Sequence, residues 1–87
     1  MNIEEIDALR PENLNGMLVK CKGFCMLAKL NDGEIYRMEL FRHKYHGDCI
    51  TFYKPRGKNP LAIHRSDFVI GAIQNASNGS LNGLEII

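Results

Sequence analysis

The chain has 87 residues, 45% of them hydrophobic and 24% charged, with 11 Lys+Arg against 10 Asp+Glu for a formal charge of +1. That length fits one domain, and the apolar fraction is too high for a disordered chain. The longest apolar run, Phe24 to Ala28, is too short to cross a bilayer.

Residues 2–10 read as a short helix. Asn2 suits the N-cap and Glu5 the capping-box position. Glu4, Glu5 and Asp7 favour the positive end of the helix dipole. Ile3, Ile6 and Leu9 share one stripe, and Pro11 is expected to end the element by restricting Arg10. Strand spacing follows: Met17, Val19 and Cys21 alternate with Leu18, Lys20 and Lys22. Gly23 interrupts it as a bulge or bend would. Phe24 to Leu30 reads as a more buried continuation, and Asn31-Asp32-Gly33 between apolar runs marks a hairpin.

A second strand is expected from Glu34 to Arg42, with Tyr36, Met38 and Leu40 on one face and Arg37 and Glu39 on the other. His43 to Asp48 forms the next turn, and Cys49 to Lys54 a third strand. Pro55 to Pro60 is a loop, because two prolines and a glycine disfavour a ladder. Leu61 to His64 is a short strand, Arg65-Ser66-Asp67 a tight turn, and Phe68 to Ile73 another strand. Gln74 to Gly83 is rich in Asn, Ser and Gly and reads as mobile. Leu84 to Ile87 is a last strand or a frayed end.

One helix and five or six short strands predict a mainly β domain. A flat sheet in so few residues would leave an apolar face wet, so the expected form is a small barrel, curled at Gly23 and Gly71. The barrel with its helix would occupy residues 1–73, and 74–87 would be a flexible segment with an apolar strand or tail. The expected core is Ile6, Leu9, Val19, Phe24, Met26, Leu30, Ile35, Met38, Leu40, Ile50, Phe52, Leu61, Ile63, Phe68, Ile70 and Ile73.

A helix, a bent meander and Leu30-Asn31-Asp32-Gly33 at the first hairpin resemble the SH3-like barrels. Within them, the Sm-like branch has a Leu-x-x-Gly hairpin and an Ile-x-Arg run similar to Ile63-His64-Arg65. Arg37 stands where that branch has a glycine, and His43 and Lys44 where it has Asp and Asn. The resemblance therefore implies a barrel and transfers no RNA-binding residue.

The N-terminus shows no basic segment followed by an apolar one, so no signal peptide is expected. Three cysteines, Cys21, Cys25 and Cys49, make an odd number, which fits a reducing, cytoplasmic setting better than a disulfide framework. Zinc on Cys21, Cys25, His43, His46 and Cys49 is opposed by spacing, since four residues of strand separate two sulfurs by about 13 Å. No metal or other cofactor is expected.

Charge is uneven along the chain. Residues 1–12 carry four acids and one base, whereas residues 37–65 carry seven Lys/Arg and two acids, with three histidines, Phe41, Tyr45, Phe52 and Tyr53 among them. The turns at 42–46 and 54–58 concentrate the positive charge and should lie at opposite ends of strand three. This pattern predicts a non-enzymatic binding module in which Arg42, Lys44, Tyr45, Lys54, Arg56, Lys58 and Arg65 contact nucleic acid, cations on phosphates and tyrosines on bases. The bland alternative is a solvated surface that balances the acidic helix.

Two other functions fit the residues. One is a protein-interaction or inhibitor module, of the kind found in phage and mobile elements. It would bind an acidic partner or self-associate through an edge strand or the apolar tail 81–87. The other is a small metal-independent ribonuclease, with His43 and His64 as base and acid and Arg42 or Arg65 on the phosphate. No catalytic geometry is fixed by spacing, so no catalytic residue is assigned.

Overall fold

The computed structural model describes residues 2–23 and 27–87. Five strands form one antiparallel sheet: β1 (Leu18–Lys22), β2 (Ile35–His43), β3 (Gly47–Tyr53), β4 (Ala62–Arg65) and β5 (Gly83–Ile86). Their order is β4-β3-β2-β1-β5, and β4 and β5 are separate edges, so the sheet does not close into a barrel. Among the described residues three helices accompany it: α1 (Ile3–Asp7), α2 (Pro11–Leu14) and α3 (Ser66–Ser77).

The expected strand over 68–73 is instead the middle of α3. Ser66, Val69 and Ile73 are its buried residues, a spacing of three and four that belongs to a helix. The run Phe68-Val69-Ile70 looks strand-like only when read in isolation. Gln74–Ser77, expected to be mobile, is the helix's last turn.

This helix is also why the sheet stays open. β4 and β5 occupy opposite edges, about 19 Å apart at the usual strand spacing. Twelve helical residues span about 18 Å. The chain therefore crosses the sheet as a helix, and the apolar face is covered without curling. Tyr36, Met38, Ile50, Phe52, Val19, Cys21 and Leu84 meet Ile6, Leu14, Val69 and Ile73 in this single core. Gly83 lets β5 begin hard against the helix. It has φ +149°, and a Cβ there would stand 2.5 Å from the Ala72 carbonyl oxygen.

Near the N-terminus, Asn2 caps α1 by accepting from the Glu5 N–H at 2.8 Å. The helix is shorter than 2–10, and Pro11 opens α2 instead of only closing α1. The fixed φ of proline suits a first helical position. Asn13 Oδ1 accepts from the Arg10 N–H, and Leu14 is fully buried.

The link from β1 to β2 is a long loop, not a tight hairpin. It closes at the expected turn, where Gly33 has φ +83° and donates to the Cys21 carbonyl. Residues 27–30 are turn, not strand, and Phe24 and Met26 lie outside the described residues. Of the expected core, Ile35, Ile63 and Phe68 are 39%, 54% and 59% exposed. The first two point to the face opposite the helices, and Phe68 lies on the outer side of α3. Leu14, Tyr36, Val69 and Leu84, outside the expected core, are all buried.

Candidate functional site

Strand alternation assigns every side chain of the sheet to one of two faces. Tyr36, Met38 and Leu40 turn toward the helices, so Arg37, Glu39, Phe41 and His43 turn away. The β2–β3 register sets Arg37 opposite Tyr53, Glu39 opposite Thr51, Phe41 opposite Cys49 and His43 opposite Gly47. The β3–β4 and β1–β5 registers add Ile63, Arg65, Lys20 and Glu85 to the same side. Among the described residues no helix covers this face.

Its two ends are built differently. At the β2–β3 turn, His43 organises the backbone: its Nδ1 accepts the N–H groups of Tyr45 at 3.0 Å and His46 at 3.2 Å. The His43 ring lies 4.6 Å from that of His46 and about 6 Å from those of Phe41 and Tyr45. Tyr45 is 80% exposed, and Lys44 Nζ sits 5.6 Å from its ring centroid.

At the other end, Arg37 fastens the β3–β4 loop. Its guanidinium donates to the carbonyl oxygens of Pro55 at 2.8 Å and Gly57 at 2.9 Å, and more weakly to that of Lys54. Glu39 holds the same group at 2.9 Å, and the guanidinium stacks 4.8 Å from the Tyr53 ring. Lys54, Arg56 and Lys58 ride on the loop so fixed.

The seven residues expected to form one site thus divide. Arg42, Lys44, Tyr45 and Arg65 lie toward the β2–β3 turn, and Lys54, Arg56 and Lys58 lie at the opposite end. The seven residues of β3 separate the ends by about 20 Å. Arg42 faces Glu12 and Asp48 at 3.8 and 3.6 Å, and Arg65 faces Asp67 at 3.2 Å and the Phe68 ring. Their charges are locally balanced. Among the described residues, Lys44, Lys54, Arg56 and Lys58 form no ion pair.

Arg37, Phe41, His43 and Tyr53 were not among the seven. The alternation around Tyr36 already put Arg37, Phe41 and His43 on a common face, and that was the available signal. The role of Arg37 in holding the loop had no local signature, because its partners are up to 20 residues away.

Among the described residues the catalytic and zinc constellations are not brought together. His64 is opposite Ile50 on the helix side, bonded to the Ala28 carbonyl at 2.9 Å. His43 is on the open face, so the two histidines do not face one another. Cys21 and Cys49 are both buried but on opposite faces, and Cys25 lies outside the described residues. Among the described residues no group of three or more His, Cys, Asp or Glu could hold a metal ion, and no helix is long and apolar enough to cross a membrane. Comparison with protein families, curated proteins and solved structures gives no match.

Proposed function

We propose that this protein is a non-enzymatic module that binds single-stranded nucleic acid along the open face of its sheet. The observation that carries the reading is the arrangement of charge and rings. Cations without ion-pair partners bracket a helix-free face, Lys44 at one end and Lys54, Arg56 and Lys58 at the other. The exposed ring of Tyr45 stands beside Lys44, and that of Phe41 beside His43. A strand of nucleic acid laid along β3 meets cations for its phosphates at both ends and rings for its bases at one, the combination that sequence-tolerant single-strand binders use. The acids Glu4, Glu5 and Asp7 are on α1, in the helical layer away from this path.

The test is fluorescence anisotropy with a labelled oligothymidylate over a range of salt. Each lost phosphate contact should lower the slope of log affinity against log salt by about 0.7 for a single strand. Reversing Arg56 and Lys58 to Glu should therefore flatten it by about 1.4. Unchanged affinity and slope reject the site.

A second reading rests on a different feature of the same face. Leu18, Ile35 and Ile87 are exposed side by side there, and adjacent aliphatic side chains suit a protein partner better than a base. In that case Leu18→Ser and Ile35→Ser would abolish binding, and salt would mainly slow association.

A further inference from the structure

Asparagine is a thermolabile residue, most of all before glycine, whose missing side chain leaves its amide nitrogen unhindered. The chain has three such pairs, Asn15-Gly16, Asn78-Gly79 and Asn82-Gly83, and one aspartate counterpart, Asp32-Gly33. Deamidation needs the side chain to swing onto the backbone and the glycine nitrogen to give up its hydrogen bond. The fold treats the four pairs differently.

Three of them are held in place. Asn15 Oδ1 accepts the Leu40 N–H at 2.9 Å, and the Gly16 N–H donates to the Met38 carbonyl at 2.7 Å, so both partners are tied to β2. Asp32 Oδ1 accepts the Gly23 N–H at 2.7 Å, and the Gly33 N–H donates to the Cys21 carbonyl at 2.8 Å. Gly83 is buried in the β1–β5 ladder opposite Lys22 and hard against α3, and the Asn82 carboxamide is packed close to Gly23.

Asn78 is different. It is exposed at the C-terminal end of α3, and among the described residues its side chain forms no hydrogen bond. Gly79 is exposed as well, with φ +90° and open space where a Cβ would stand. Its N–H donates to the Ala76 carbonyl at 3.2 Å, and the Ser80 N–H donates to that of Asn75 at 3.0 Å. These two bonds close the end of the helix. A helix end opens far more readily than a paired strand. Rotation about Asn78 ψ from its value of 11°, with loss of the single Gly79 bond, lets the nitrogen approach the carboxamide.

We propose that Asn78 is a site of spontaneous deamidation, and that the reaction loosens the junction of α3 with the segment leading to β5. The Gly79 nitrogen attacks Asn78 Cγ and gives its proton to solvent. The new N–Cγ bond closes a succinimide, the Cγ–Nδ2 bond breaks, and Nδ2 takes up a proton and leaves as ammonia. Water then opens the ring at either carbonyl, giving aspartate or isoaspartate. Either product places a carboxylate at the negative end of the α3 dipole, where the last turn has no basic residue to offset it. Isoaspartate also lengthens the backbone between the two capping bonds.

The intact protein is incubated in warm, mildly alkaline buffer beside a sample unfolded in urea, until the unfolded sample has reacted. Peptide mapping reads the gain of about 1 Da at each asparagine, and fragmentation separates Asn78 from Asn82. In the folded protein Asn78 should convert about tenfold faster than Asn15 or Asn82, because only its site opens locally. In urea the three should convert at similar rates. Asn78→Gln should abolish the fast conversion, since the longer side chain closes a less favourable ring. Asn78→Asp makes one product directly and should speed amide exchange of residues 77–80 about two- to fivefold, after correction for intrinsic rates. Conversion of Asn15 or Asn82 as fast as Asn78 in the folded protein would overturn the proposal. So would the same preference for Asn78 in urea, which would place its cause in the sequence alone, or unchanged exchange in Asn78→Asp.

Discussion

Replacing Arg37 by Met tests whether this one side chain holds the β3–β4 loop in place. Methionine keeps an unbranched apolar stem against Tyr53 and removes every donor. The guanidinium makes contacts of 2.9 and 3.2 Å to Glu39 and of 2.8, 2.9 and 3.4 Å to three loop carbonyls. Hydrogen bonds to a charged group contribute about 1.5–3 kcal/mol each when the partner is left buried and unpaired. Here the loop carbonyls can turn to water, and the ion pair is only partly shielded, with side-chain exposures of 25% and 44%. Exposed pairs contribute about 0–1 kcal/mol. The sum expected is therefore about 2 kcal/mol, well below the additive figure. For a domain of this size that lowers the melting temperature by roughly 8–16 °C. Thermal denaturation followed by circular dichroism measures the shift, and amide exchange locates it. Exchange should accelerate in residues 54–60 while the β1–β5 ladder keeps its protection relative to global stability. A melting temperature within about 2 °C of the parent, or unchanged exchange in that loop, refutes the role given to Arg37.

Two glycines should respond in opposite directions. Gly71 lies inside α3, and a Cβ there meets nothing within 4 Å. Gly71→Ala should therefore stabilise by about 0.5–1 kcal/mol, read as a raised denaturation midpoint at constant m-value. Gly83→Ala puts a methyl group 2.5 Å from the Ala72 carbonyl oxygen and 3.0 Å from the Ala76 nitrogen. It should cost about 1–3 kcal/mol and separate β5 from α3. Leu14→Ala should cost about 2–5 kcal/mol in the same assay, because this fully buried side chain anchors a helix of only four residues.

The pattern of success along the sequence has a physical basis. Alternation was legible in β2 because Tyr36, Met38 and Leu40 face a packed layer while Arg37 and Glu39 do not. The Asn2 cap and the turn at Gly33 were legible because each is decided by a few adjacent residues. Helix α3 was hidden because Phe68, Val69 and Ile70 are consecutive, and its true stripe emerges only with Ser66 and Ile73. Once that segment became a strand, closure into a barrel followed as the only way to bury one face. The open sheet reverses the inference: with α3 laid across one face, Ile35 and Ile63 are free to be exposed. At the candidate site, the placing of the two basic turns at opposite ends of β3 followed from the meander. The neutralisation of Arg42 by Glu12 did not, because 30 residues separate them and α2 brings them together.

The central claim is that one sheet face, bracketed by cations at both ends, is the docking surface. Titrating the intact protein with an unlabelled oligothymidylate while recording amide and aromatic chemical shifts tests it most directly. Shifts should concentrate at Phe41, His43 to Tyr45, Tyr53 and Lys54 to Lys58, and should fade as salt is raised. Shifts confined to α1 and the outer surface of α3, or none at low salt, would contradict the claim.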